Sequence, residues 1–201
     1  TPASRNGLYV RNLNTGQDQL ISVTGRNPVA ADGVLLWSEE RQQSGRFAVA
    51  EWTLHLRKQS DPQRDSIIAR DFGEFHGYHV SGDNVIWAAS TPGNDKAHLY
   101  NISSGANQVV SAHAVVNPLI SGNTVAWTEA PTGEIGKPPT WSIVIYNIAT
   151  GAQSSIIAAS ATPVQAWALM EPPRLIYSLG NAPVMGVREL YAIELPTGTA
   201  R

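Results

Sequence analysis

The chain has 201 residues, 42% of them hydrophobic and 15% charged, which is a globular composition and enough chain for one full core. Its 14 basic and 16 acidic residues are scattered singly for a net charge of -2, so no basic stripe is offered to a phosphate backbone and nucleic acid is not an expected partner. No apolar run approaches the ~18 residues of a membrane-spanning helix, and the absence of cysteine excludes disulfides, thiolate nucleophiles and cysteine-bound metals.

In chain order, "TPASRNG" leads straight into the first predicted strand without the charged and apolar regions of a signal peptide. "LYVRNLNTG" (Leu8 to Gly16) is an alternating strand with a glycine turn, and "ADGVLLW" (Ala31 to Trp37) is a tight turn feeding a strand. After a variable loop, Ser38 to Ala50, "LHLRKQSDP" (Leu54 to Pro62) repeats the first motif with Asp61-Pro62 in place of the glycine turn. "SGDNVIW" (Ser81 to Trp87), "HLYNISSG" (His98 to Gly105), "SGNTVAW" (Ser121 to Trp127) and "IVIYNIATG" (Ile143 to Gly151) alternate the two motifs. Tyr177 then stands where a fourth tryptophan would, and "LYAIELPTG" (Leu190 to Gly198) closes the series. The turns at Gly16, Asp61, Gly105, Gly151 and Gly198 lie 45, 44, 46 and 47 residues apart, a repeat spacing that belongs to solenoids, propellers and arrays.

Each period reads as four short strands, and glycine or proline interrupts every candidate helix. Four antiparallel strands per period predict an all-β fold, a β-propeller of four-stranded antiparallel blades. About five blades are expected, four complete plus a closing or truncated one, because the strand motif at Leu8 is surplus to the four tryptophan-type hairpins. Val85 and Trp87 share one face of their strand, so Trp37, Trp87, Trp127 and Tyr177 are expected to pack between sheets. Residues 1–201 read as a single domain, and the abrupt ends suggest a piece trimmed from a longer protein.

The "Y-x-L-x-T-G" and "S-G-D-x-V-x-W" hairpins resemble those of the TolB-type and cell-surface β-propeller repeats. The aspartate which that pattern has before the turn is Asn12, Asn101 or Asn147 here. The resemblance implies a propeller acting outside the cytoplasm, whether periplasmic, at the cell surface or secreted. It implies little about activity, since one fold carries many functions.

Short turns at one end of each blade leave the variable loops at the other, and recognition is expected on that long-loop rim. The candidate binding residues are Arg41, Arg46 and Phe47 in the first loop, and Glu134, Lys137 and Trp141 in the proline-rich "EAPTGEIGKPPTW". A glycan-active five-bladed propeller would instead need two carboxylates ~5 to 10 Å apart across the channel. The predicted first strands "NPVAA", "GYHVS", "NPLIS" and "TPVQA" contain none, and Glu39, Glu40 and Glu129 read as solvated strand ends. His76 and His79 point to opposite faces of one strand, so no metal is expected, and no cofactor or "G-x-S-x-G" nucleophile is indicated. His55 and His98, at matching positions, read as packing or surface residues. The expectation is a noncatalytic module binding a protein or polysaccharide partner. The alternatives are the glycan-active enzyme and an architectural domain of a larger exported enzyme.

Overall fold

The computed structural model describes residues 6–42, 49–91, 95–129, 140–160, 164–179 and 189–195, and among them it contains strands and no helix. The chain divides into two compact units, Thr1–Phe75 and His76–Arg201.

The first unit holds a hairpin, β1 (Leu8–Arg11) and β2 (Asp18–Ser22), and a four-stranded sheet of β3 (Arg26–Ala31), β4 (Val34–Gln42), β5 (Ala50–Lys58) and β6 (Asp65–Asp71). The second unit has two four-stranded sheets and one of three strands. The first contains β7 (Phe75–Ser81), which begins at the unit boundary, β8 (Asn84–Ala89), β9 (His98–Asn101) and β10 (Asn107–Val109). The next contains β11 (Val115–Ser121), β12 (Thr124–Glu129), β13 (Trp141–Asn147) and β14 (Gln153–Ser160), and the last β15 (Val164–Met170), β16 (Arg174–Leu179) and β17 (Glu189–Glu194). Strands follow one another as antiparallel meanders, the five sheets that the repeat predicts.

The two turn motifs are built by repeated chemistry. After β1, β9 and β13, the N–H of Gly16, Gly105 and Gly151 donates to the carbonyl of Asn12, Asn101 and Asn147 at 2.8–2.9 Å. These three glycines have φ of 69° to 72°, the left-handed region that other residues enter at a cost. The asparagine Oδ1 accepts a backbone N–H two or three residues on, from Asn14 and Thr15, Ser104, or Thr150. An aspartate would accept the same bonds, which is why asparagine in its place leaves the turn intact. Asn101 also donates from Nδ2 to the Asp83 carbonyl and Asn84 Oδ1, bonds that a carboxylate could not supply.

Trp37, Trp87 and Trp127 sit in the second strands β4, β8 and β12, at 1%, 4% and 0% exposure, while Tyr177 in β16 is half-buried. Their partners on the third strand are His55, His98, Val144 and Tyr191. The alternation of β12 divides its side chains between two cores. Val125 and Trp127 pack with Ile86, Leu99, Ile120 and Val144, whereas Ala126 packs with Leu119, Ile143, Val164 and Leu175. Hydroxyls bind backbone across sheets: the buried Thr128 Oγ1 accepts the Ala166 N–H at 3.0 Å, and the more exposed Ser81 Oγ accepts that of Gly122 at 2.9 Å.

Two features differ from the sequence reading. The strands β4 and β5 pair as far as Gln42 and Ala50, so Ser38–Gln42 is strand rather than loop. The first strands also carry an irregularity: register shifts between Arg26 and Val29, Val116 and Leu119, and Ala166 and Ala168. Asn27 and Asn117 stand at this point with φ of 51° and 53°, each just before a proline, as in a β-bulge that turns the strand.

Trp127→Ala is expected to cost about 3–5 kcal/mol, the range for deleting a fully buried aromatic. Thr128→Val keeps the shape but strands the Ala166 N–H, at about 1–3 kcal/mol. Denaturant melts measure both, and a loss under about 1 kcal/mol at Trp127 would contradict its burial in the core.

Candidate functional site

The first unit holds a polar network on one face of the β3–β6 sheet. Leu35, Trp37 and Glu39 alternate along β4, opposite Arg57, His55 and Thr53 on β5. Trp37 stacks on His55 with centroids 5.1 Å apart and planes 15° from parallel, and the Arg57 guanidinium lies 5.6 Å from the indole. Arg57 makes a paired contact with Asp65, its Nη2 donating to Oδ2 at 2.8 Å, and this bond raises its already high pKa.

Glu39 is the centre of this network. Its Oε1 accepts the Trp37 indole N–H at 2.9 Å, its Oε2 lies 3.6 Å from His55 Nε2, and His55 Nε2 is 2.8 Å from Thr53 Oγ1. Burial raises the carboxyl pKa, but hydrogen bonds from Ser22, Trp37 and Thr24 and the neighbouring His55 outweigh it, so the group is held below its ordinary value. Burial pushes the His55 imidazole below the usual histidine value, with Glu39 pulling partly against it. Gly25 completes the enclosure, since a Cβ there would stand 2.9 Å from Trp37 Cδ1.

The same device recurs at Trp127, whose indole N–H points to Glu129 Oε1 at 3.5 Å. Glu40 lies 3.6 Å from Arg26. The three carboxylates that an acid–base reading would recruit therefore have partners that account for their positions. His98 stacks on Trp87 with centroids 3.9 Å apart, so the paired histidines are packing residues. His79 is half-buried in β7 with its pKa lowered by burial, while the His76 side chain lies outside the described residues. Among the described residues no cluster of three or more His, Cys, Asp or Glu could hold a metal ion, and no helix is long and apolar enough to cross a membrane.

Of the expected contact residues, Arg41 is exposed near the end of β4, opposite Glu51. Trp141 begins β13, half-buried against the core that contains Ile143 and Leu175. Arg46, Phe47, Glu134 and Lys137 lie outside the described residues. Sequence reasoning missed Trp167, which sits in the β15 irregularity at 42% exposure and donates its indole N–H to Ser178 Oγ at 2.8 Å. By register it falls at the position of Pro118, where the other first strands have Pro28 and Tyr78, so the repeat itself gave no signal for an exposed indole there.

A groove of about 930 Å³ in the first unit was also missed. It runs between the β1–β2 hairpin and the β3–β5 strands at the short-turn end, with Arg11, Asp18, Ala30, Leu35, Arg57 and Lys58 among its walls. Arg11 faces Asp18 at 3.5 Å.

Comparison with solved structures agrees with this architecture. The chain aligns with the β-propeller domain of the Trilobed protease from Pyrococcus furiosus at a TM-score of 0.65 and 9% identity, covering 92% of this chain and 58% of that one. The fold is a β-propeller. TolB from Acinetobacter baumannii gives a TM-score of 0.50 at 14% identity, covering 85% of this chain and 45% of that one. A chain of a nidogen/laminin complex gives 0.53 at 10% identity, with coverages of 85% and 63%. This chain thus spans about half to three-fifths of the length of these chains. No family model matches it, and no curated protein does.

Glu39 and His55 give a pH signature. Because the folded state depresses both values, their stabilising contributions are complete above the ordinary values and are lost as pH falls through the folded ones. Removing the carboxylate in Glu39→Gln is expected to lower the His55 titration further, as followed by imidazole NMR. A titration that does not move would mean that the carboxylate does not face the ring in solution.

Proposed function

We propose that this chain is a noncatalytic binding module, a single propeller domain that engages a protein or cell-surface polymer through the long loops between its second and third strands. One observation carries the reading: Glu39, Glu40 and Glu129 are held by Trp37, Arg26 and Trp127. The candidate acids serve the scaffold, and the unequal loops are left as the variable chemistry. The structural neighbour solved in a nidogen/laminin complex supports a propeller that binds protein. Kinship with TolB-type repeats rests on the two hairpin motifs and on the likeness to TolB, and the same kinship is the ground for proposing a place outside the cytoplasm.

Arg41, Arg46, Phe47, Glu134, Lys137 and Trp141 are the contacts assigned to this surface. A second reading, an architectural domain beside a catalytic one, is favoured by the likeness to a propeller domain that belongs to a protease.

Arrays of proteins and glycans probed with the purified chain are expected to give a saturable ligand. Arg41→Ala should weaken it by about 1 kcal/mol or more without moving Tm, since the side chain is exposed. Trp141→Ala should lower Tm as well, because the ring also covers core. Turnover of glycosides abolished by Glu39→Gln or Glu129→Gln would replace this reading with the enzyme.

A further inference from the structure

Among the described residues that line the groove of about 930 Å³ in the first unit, six are asparagine or glutamine and none is aromatic. Its size lies within the ~300 to 1,000 Å³ of small-ligand sites. Asn12, Asn14, Gln17 and Gln19 come from the hairpin side, and Gln59 and Gln63 from the turn that follows β5. Asn12 is committed to its own turn, its Oδ1 accepting the N–H groups of Asn14 and Thr15. The other five side chains are exposed and make no hydrogen bond among the described residues. Gln59 is nevertheless fixed at its base. Its N–H donates to the Gly33 carbonyl at 2.7 Å, and its Oε1 lies 3.6 Å from where a Gly33 Cβ would stand.

The charges around the groove balance. Arg11 faces Asp18 at 3.5 Å, Arg57 is bound to Asp65, and Lys58 and Asp32 add one of each sign. Neither an anion nor a cation gains a net attraction from such a set. The floor is aliphatic, with Ala30 and Ala31 exposed and Ile21 and Leu35 half-buried. Each carboxamide offers two donors and an acceptor, so a ligand that meets several of them needs closely spaced groups that both donate and accept. Sugar hydroxyls have that chemistry, and the C–H faces of a pyranose ring suit an aliphatic floor. An extended peptide fits less well, because its ladder needs backbone partners at a regular rise of ~3.3 Å, whereas here the free donors and acceptors are side chains.

We propose that this groove binds a neutral oligosaccharide, its hydroxyls held by Gln17, Gln19, Gln59 and Gln63 and a ring face lying on Ala30 and Leu35. The site is apart from the long loops, so it stands or falls independently of the partner proposed for them.

The test titrates linear hexasaccharides of glucose, mannose, galactose and N-acetylglucosamine into the full 201-residue chain, followed by amide NMR. At least one is expected to saturate with a Kd below about 10 mM, to shift the resonances of residues 14–19 and 59–63, and to bind within about twofold as well at high salt as at low. Gln59→Ala combined with Gln63→Ala should weaken that sugar about tenfold with Tm unchanged, since both side chains are exposed. Gln17→Ala combined with Gln19→Ala is expected to do the same from the other wall. No binding by any of the four sugars, shifts confined to residues outside these two segments, or indifference to both double variants would each overturn the proposal. So would tighter binding of an oligogalacturonate, or of an acidic or basic peptide, than of every neutral sugar, since the groove would then select charge.

Discussion

A four-stranded sheet in this chain is too thin to shield either of its faces, and the rest of the structure follows from the need to cover both. The second strand is the central problem, because its alternate residues point into different cores. In β12 the division is explicit, with Val125 and Trp127 in one cluster and Ala126 in the other. The bulky indole fills the wider gap, while a small residue on the opposite face lets the next sheet approach. An aromatic recurs at Trp37, Trp87, Trp127 and Tyr177 because the geometry of that gap recurs.

Burying an indole introduces a polar N–H that needs an acceptor. The residue two positions on lies on the same face, and in β4 and β12 that residue is a glutamate within reach of the indole nitrogen. A carboxylate beside a conspicuous aromatic looks like a catalytic acid when only its side-chain chemistry is considered. Its register explains it as part of the packing. The histidines follow the same logic, because His55 and His98 face tryptophans across a strand pair and stack on them. Buried hydroxyls such as Thr128 meet backbone groups that a twisted sheet leaves unpaired.

This origin explains which features could be read from sequence. Strands, short turns and the tryptophan positions were legible because each is dictated locally, by alternation, by glycine in the left-handed region and by asparagine bonding its own turn. The paired length of β4 and β5 was not, since Ser38–Gln42 is strand only because Ala50–Leu54 lies opposite. The duties of Glu39 and Glu129 were hidden for a related reason, as a carboxylate's role depends on which N–H shares its face. Trp141 reads in sequence as the end of a proline-rich loop, and only the pairing of β13 shows that its ring also packs partly against the core. The groove was least visible, because it is made by turn residues and by an uncovered face, and neither leaves a motif.

The packing rule also identifies where packing stops. In β7 and β11 the positions equivalent to Ala30 hold Val80 and Ile120, large side chains that are buried; in β3 the position is small and exposed. A sequence that kept a large residue there would expose an apolar patch of the kind soluble proteins limit. Alanine reduces that exposure. Arg11 and Lys58 line the groove beside it, charges that keep the uncovered face in contact with water. Small residues on one wall and charges at its ends are the features of a face that tolerates water.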